Sequence, residues 1–184
     1  MPSPTLAVER LIRALEAVTR LAGAIAIGLT LLLILATCAV VVMRYFLATG
    51  SIALQESMSY MHGAIFMLGA AWTLRVGGHV RVDVFYRGAS PRAQAWIDVA
   101  GGLLFLLPLC ALIFWLSWDY VLSSWAIREK SNEGSGLPYV YLLKTLLLIM
   151  PATLMVQGVA EILKNLLFAT GRGGAHVGEK VEPL

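Results

Sequence analysis

Residues 21–43 read LAGAIAIGLTLLLILATCAVVVM, 23 consecutive positions without a charge. As a helix this stretch is about 35 Å long, enough to cross a hydrocarbon layer of about 30 Å. No other feature constrains the fold as strongly. Three further apolar runs, 53–74, 99–127 and 137–168, are of comparable length and are interrupted only by single ionisable groups. The chain is 59% hydrophobic and 14% charged, far from the quarter or so of charged residues usual in soluble domains. The sequence therefore predicts an all-α membrane protein with four transmembrane helices, at about 21–46, 53–75, 97–127 and 138–168, in one domain spanning 21–168.

The first run is too long for the core of a cleaved signal peptide and lacks an Ala-x-Ala exit, so it is expected to be retained. Ahead of it, residues 1–20 place Leu6, Arg10, Arg13, Glu16 and Arg20 at helical spacing, the pattern of an amphipathic lead-in helix on the membrane surface. A second interfacial helix is expected at SPRAQAWID: Ser90 is a good N-cap, Pro91 suits the first helical position, and Trp96 belongs at headgroup level. Residues 169–184 are Gly-rich and polar and are expected to be a disordered tail. Pro108 and Pro151 are expected to kink the third and fourth spans.

Placement of charge sets an orientation. Ten of the 14 basic residues fall in the N-terminal segment, the 75–98 connection or the C-terminal part. The other two connections, with the start of the fourth span, hold Arg44, Arg128, Lys130 and Lys144. The positive-inside rule then puts both termini and the 75–98 connection in the cytoplasm. The basic residues cluster at span ends rather than in one stripe, so nucleic acid is not implied. Cys38 and Cys110 both lie in apolar runs, which points to packing rather than a disulfide framework.

Ionisable residues inside spans are functional hypotheses by default, because hydrocarbon penalises an unpaired charge. Arg44, Glu56, Asp119 and Lys144 fall near the outer face, and Arg75, Asp98, Glu161 and Lys164 near the inner one. Both signs occur at each level, so interhelical ion pairs that fix register are expected, with Glu56 pairing Arg44 or Lys144. A proton relay would join Glu56 to His62, but six residues of helix leave the two about 120° apart, and no acid lies at mid-membrane. Small residues in the second span, Gly63, Ala64, Gly69, Ala70 and Ala71, suit either a docking face for a partner subunit or packing within this chain.

Signatures of catalysis are absent: there is no CxxC, HExxH, GxSxG or phosphate loop. In RVGGHVRVDVF, residues 75–85, His79 and Asp83 are too few for a zinc site, and the glycines lack the third member of a dinucleotide loop. No catalytic, cofactor-binding or metal-binding residue is assigned. A stand-alone four-helix exporter, proton-coupled and working as a dimer, is the alternative from another class; it needs a carboxylate near the middle of a span.

The chain resembles the small, Q-type (DctQ-like) membrane subunit of tripartite ATP-independent periplasmic (TRAP) transporters. The likeness is carried in order by MRYF (43–46), LQE (54–56), LGAAWTLRVGGHVRVDVFY (68–86), ASPRAQAWID (89–98) and GLPYVYLLK (136–144). It departs from the family in having one carboxylate, Glu56, where two adjacent acids preceded by tryptophan are frequent. The resemblance implies a bacterial inner-membrane subunit of a sodium-coupled importer of organic acids. In such a system a periplasmic binding protein captures substrate and a large membrane subunit carries it with sodium. The small subunit is a scaffold that contacts both, besides membrane lipids. It also implies structural or interface roles for Arg44, Glu56, Arg75, His79 and Asp83. Arg81, Asp119, Lys144 and Glu161 are expected to play similar parts. No cofactor is expected in this chain.

Overall fold

A computed structural model of the chain describes residues 4–79, 86 and 88–171. Helix α1 spans Pro4–Phe46, α2 Ile52–Arg75, α3 Pro91–Gly101, α4 Leu107–Ala126 and α5 Val140–Ala169. A π-helical turn, Gly102–Leu106, joins α3 to α4, and no strand occurs among the described residues. Three stretches are long and apolar enough to cross a membrane: Leu6–Phe46, Pro91–Ala126 and Val140–Ala169. The second expected span, α2, has 24 residues and hence a length of about 36 Å. It is not among the three, because Gln55, Glu56, Ser57, Ser59, Tyr60 and His62 crowd its first three turns. Arg81, Asp83 and residues 172–184 of the expected tail lie outside the described residues.

Two elements expected to be separate are continuous with spans. The lead-in at 1–20 is no helix of its own: α1 runs unbroken from Pro4 for 43 residues, about 65 Å. Residues 5–22 contain neither glycine nor proline, so nothing interrupts the ladder. Ile12 and Thr19 turn into the bundle, where Thr19 is fully buried. Likewise α3 begins as expected, with Ser90 accepting from the Ala93 N–H and Pro91 in the first turn, but then passes through the π turn into α4. The wide turn precedes Pro108, which has no N–H to donate and whose ring, in a regular α-helix, would press on the carbonyl of Leu104. Adding a residue to the turn relieves that conflict.

Helix α5 is the central post. It touches α1, α2, α3, the π turn and α4, while α1 and α2 also pack along each other. The buried set is small and partly polar: Thr19, Ser124, Gln157 and Asn165 are inside, whereas Leu31, Leu35, Phe105 and Trp115 are exposed. A soluble domain has the reverse arrangement. Close approach rests on glycine at three crossings. A Cβ on Gly23 of α1 would lie 2.5 Å from the Trp72 indole of α2. One on Gly102 would lie 2.7 Å from Ile162, and one on Gly158 2.8 Å from Leu106, so the π turn and α5 interlock reciprocally. Gly63 packs on Leu143, and Ala71 is fully buried, so part of the small-residue set of α2 serves packing within the chain.

Replacing Gly23 with leucine forces the Trp72 indole off α1. Overpacking of this kind costs about 1–3 kcal/mol. Thermal unfolding in mild detergent is expected to show a lower midpoint for Gly23→Leu, whereas Gly28→Leu, where an added Cβ meets nothing within 4 Å, is expected to leave it unchanged.

Candidate functional site

The polar side chains gather in two layers, one at each end of the bundle. At the end where α2 finishes, Glu16 of α1 is the hub. Its Oε2 lies 3.8 Å from Arg75 Nε of α2 and 3.8 Å from Arg20, and its Oε1 pairs closely with Lys164 of α5. Lys164 also meets Glu161 at 3.1 Å, and Gln157 donates to Glu161 at 2.6 Å. The Arg75 guanidinium lies 5.0 Å from the centre of the Trp72 ring, the same ring that covers Gly23. One carboxylate thus ties three helices together in a mostly buried setting, where such contacts are strong and a missing partner is costly.

The same end terminates α2 by a Schellman motif. Gly77 takes φ of +68°, its N–H bonds Leu74 O at 3.2 Å, and the Gly78 N–H bonds Thr73 O at 2.9 Å. His79 folds back so that its Nε2 lies 3.3 Å from Ala70 O. Here the first glycine of RVGGH has a conformational task, and His79 lies back against the last turns of the helix it follows. Tyr86 donates to Asp98 of α3 at 2.9 Å, and Gln94 donates to the carbonyls of Tyr86 and Ala89. Between α2, α3 and α5 lies a cleft of about 530 Å³, with His79, Asp98 and Glu161 at its polar end and Leu106 and Leu154 deeper in.

At the opposite end, the expected pairing of Glu56 with Arg44 or Lys144 does not form. Each oxygen of Glu56 has another donor: the Ser131 hydroxyl bonds Oε1 and the Leu137 N–H bonds Oε2 at 2.6 Å. The carboxylate clamps the α4–α5 connection, which is also closed by Ser131 N–H to Leu137 O at 3.1 Å. A Cβ on Gly136 would lie 2.7 Å from Glu56 Oε1, so the clamp requires glycine there. Lys144 is taken by Glu129 at 2.5 Å, and its ammonium lies 4.2 Å from the centre of the Tyr120 ring. Trp125 donates to Thr145 at 2.8 Å and stacks edge-on against Tyr141. Arg44 is exposed beside Ser51 and Gln55, and Asp119 is exposed on α4; neither side chain has a partner among the described residues.

Sequence reasoning missed Glu16, Glu129 and Ser131 as partners. Glu16 had a local signal, its i,i+4 relation to Arg20. Ser131 and Glu129 sit in a polar connection, where nothing local says which side chain turns inward. Cys110 is buried as expected of a packing residue, whereas Cys38 is exposed.

Two outcomes follow from these layers. Glu16→Gln is expected to lower stability by about 1–3 kcal/mol, because it leaves Arg75 and Lys164 short of a counter-charge. Glu16→Gln combined with Lys164→Gln should cost less than the two single changes added together, which unfolding midpoints of the four proteins measure. At the other end, the Lys144 ammonium holds the Glu129 carboxyl below the usual carboxylate range. A depressed carboxyl stabilises above its unfolded-state pKa and loses that contribution as pH falls through its folded-state value. The stability difference between wild type and Glu129→Gln is therefore expected to be constant at neutral pH and to vanish on acidification to below the usual carboxylate range.

A comparison with protein families matches residues 33–168, well over half of the chain, to the tripartite ATP-independent periplasmic transporters, DctQ component. No curated protein and no solved structure gives a match. The matched stretch takes in the last third of α1, all of α2 to α4 and nearly all of α5, with both polar layers apart from Glu16 and its neighbour Arg20. The chain belongs to the DctQ component family of tripartite ATP-independent periplasmic transporters, a family of membrane transporter components and not a family of enzymes.

Proposed function

We propose that the chain is the small permease subunit of a sodium-coupled, binding-protein-dependent importer of organic acids. It lies in the bacterial inner membrane with four spans and both termini in the cytoplasm. It acts as a fixed scaffold for a large membrane subunit, which carries substrate and sodium, and it helps form the surface on which the periplasmic binding protein docks.

One observation carries the scaffold role: the middle of the bundle has no charge. Between Lys144 and Glu161, 17 positions apart on α5, no residue is ionisable; that separation is about 25 Å of helix. Between Glu56 and Arg75, 19 positions apart on α2, there is no carboxylate, lysine or arginine, and the titratable side chains are Tyr60 and His62; that separation is about 28 Å. Both approach the thickness of the hydrocarbon layer. An organic anion crossing this bundle would find no cation to meet it, and a proton-coupled exporter would find no carboxylate. The charged groups instead tie helices to one another, as a rigid support requires. The same spacing supports α2 as the fourth span, since its two ends reach the same two layers as α5.

The test is co-purification from mild detergent of the tagged full chain, expressed with the other components of its transporter. A much larger apolar chain is expected to accompany it, and sodium-driven uptake of a labelled organic acid into proteoliposomes should require both membrane chains and the binding protein. Recovery of this chain solely as a homodimer, or uptake undiminished without it, would overturn the proposal.

A further inference from the structure

The exposed surface of α2 differs in kind from that of α5. Five of its residues are exposed: Ile52, Gln55, Ser59, His62 and Phe66. Spaced by three or four, they fall within one arc of about 80° on a helix of 100° per residue. Three of the five are polar, and the side chains of Gln55, Ser59 and His62 make no hydrogen bond among the described residues. One and two turns beyond Phe66 the arc runs on to Gly69, where an added Cβ meets nothing within 4 Å, and Thr73, whose hydroxyl is spent on Gly69 O. By contrast the exposed residues in the body of α5 are Leu142, Ile149 and Val159.

Depth makes the stripe significant. His62 lies six residues from Glu56 toward the middle of the helix, about 9 Å inside the polar layer. Lipid tails offer no hydrogen bond there, so a histidine and a serine facing them forfeit the bonds they make in water. The same residues deprive α2 of the hydropathy that α1, α4 and α5 possess. Inside the bundle, α1 and α5 already cover the other sides of α2. The open side thus combines polar side chains without partners, an open glycine and one large aromatic. Small residues allow backbones to approach, polar ones bond across, and an aromatic anchors: that is how helices associate in lipid.

We infer that the Gln55–Ser59–His62–Phe66 stripe of α2 is the face that docks the large membrane subunit, against one of its helices. That helix would present hydrogen-bonding side chains to Ser59 and His62 and an apolar seat to Phe66. The inference rests on the proposed function, which supplies the partner; the stripe supplies the place and the chemistry.

The assignment is tested by placing a photo-crosslinking amino acid at Ser59, Phe66 or Trp115, the last being the exposed tryptophan of α4. The full chain carrying it is expressed with the rest of the transporter. Adducts with the large subunit are expected from Ser59 and Phe66 and to be scarce from Trp115. In parallel, Ser59→Leu combined with His62→Leu should reduce the large subunit recovered with this chain by roughly tenfold, the ratio for one or two lost interhelical hydrogen bonds. Unfolding of the isolated double variant should be unchanged, because neither side chain bonds within the chain. Adducts from Trp115 alone, adducts joining two copies of this chain, or full recovery with the double variant would each overturn the assignment. If the wild-type chain does recover the large subunit in those cases, only the choice of face falls. If it does not, the proposed function falls with it.

Discussion

Hydrocarbon's intolerance of unpaired charge governs this molecule more than any packing preference. Every spanning helix begins and ends on ionisable residues and is almost free of them between, and the two resulting layers are held about as far apart as a bilayer core is thick. Within each layer most of the charged groups, though not Arg44 or Asp119, are paired or hydrogen-bonded across elements. Glu16 joins α1, α2 and α5 at one end. Glu56 and the Glu129–Lys144 pair join α2, α4, α5 and their connection at the other. The layers fix depth and register at once, since a helix that slid by one turn would break its partners at both ends.

Between the layers, cohesion comes from close approach. Small residues at Gly23, Gly63, Gly102 and Gly158 admit an indole or an aliphatic side chain from the neighbouring helix. Dispersion is the force available in lipid, where association gains nothing from expelling water. The Trp72 ring links the two regimes: one face covers Gly23, and Arg75 lies over the ring at the edge of the charged layer.

Much of this was legible in the sequence wherever the signal is local. Uncharged runs mark α1, the α3–α4 stretch and α5, and Ser90 with Pro91 marks the start of α3. Gly77–Gly78 marks the end of α2, though sequence alone offered a break rather than the specific Schellman closure. Reasoning failed where a residue's role is set by something far along the chain. Glu16 looked like one element of an amphipathic surface helix because its partners lie in α2 and α5. Lys144 was a reasonable mate for Glu56 by depth, yet Glu129, nearer in space, takes it. The second expected span was legible as a length but not as a hydropathy, and the polar stripe responsible has its meaning in three dimensions only. Arg44 and Asp119 were expected to pair across helices, and neither finds a partner among the described residues.

The tie between the first and last helices also dictates an order in time. Glu16 emerges early in synthesis, yet Arg75 follows 59 residues later and Lys164 148 residues later. Chains are made from the N-terminus at a pace far slower than helix formation. α1 and α2 can therefore pair as a hairpin as soon as both are made, but the central post on which every other helix leans is the final one. The bundle cannot close progressively. It remains an open sheaf, with its hub carboxylate half neutralised, until α5 arrives and locks all the earlier helices in one step.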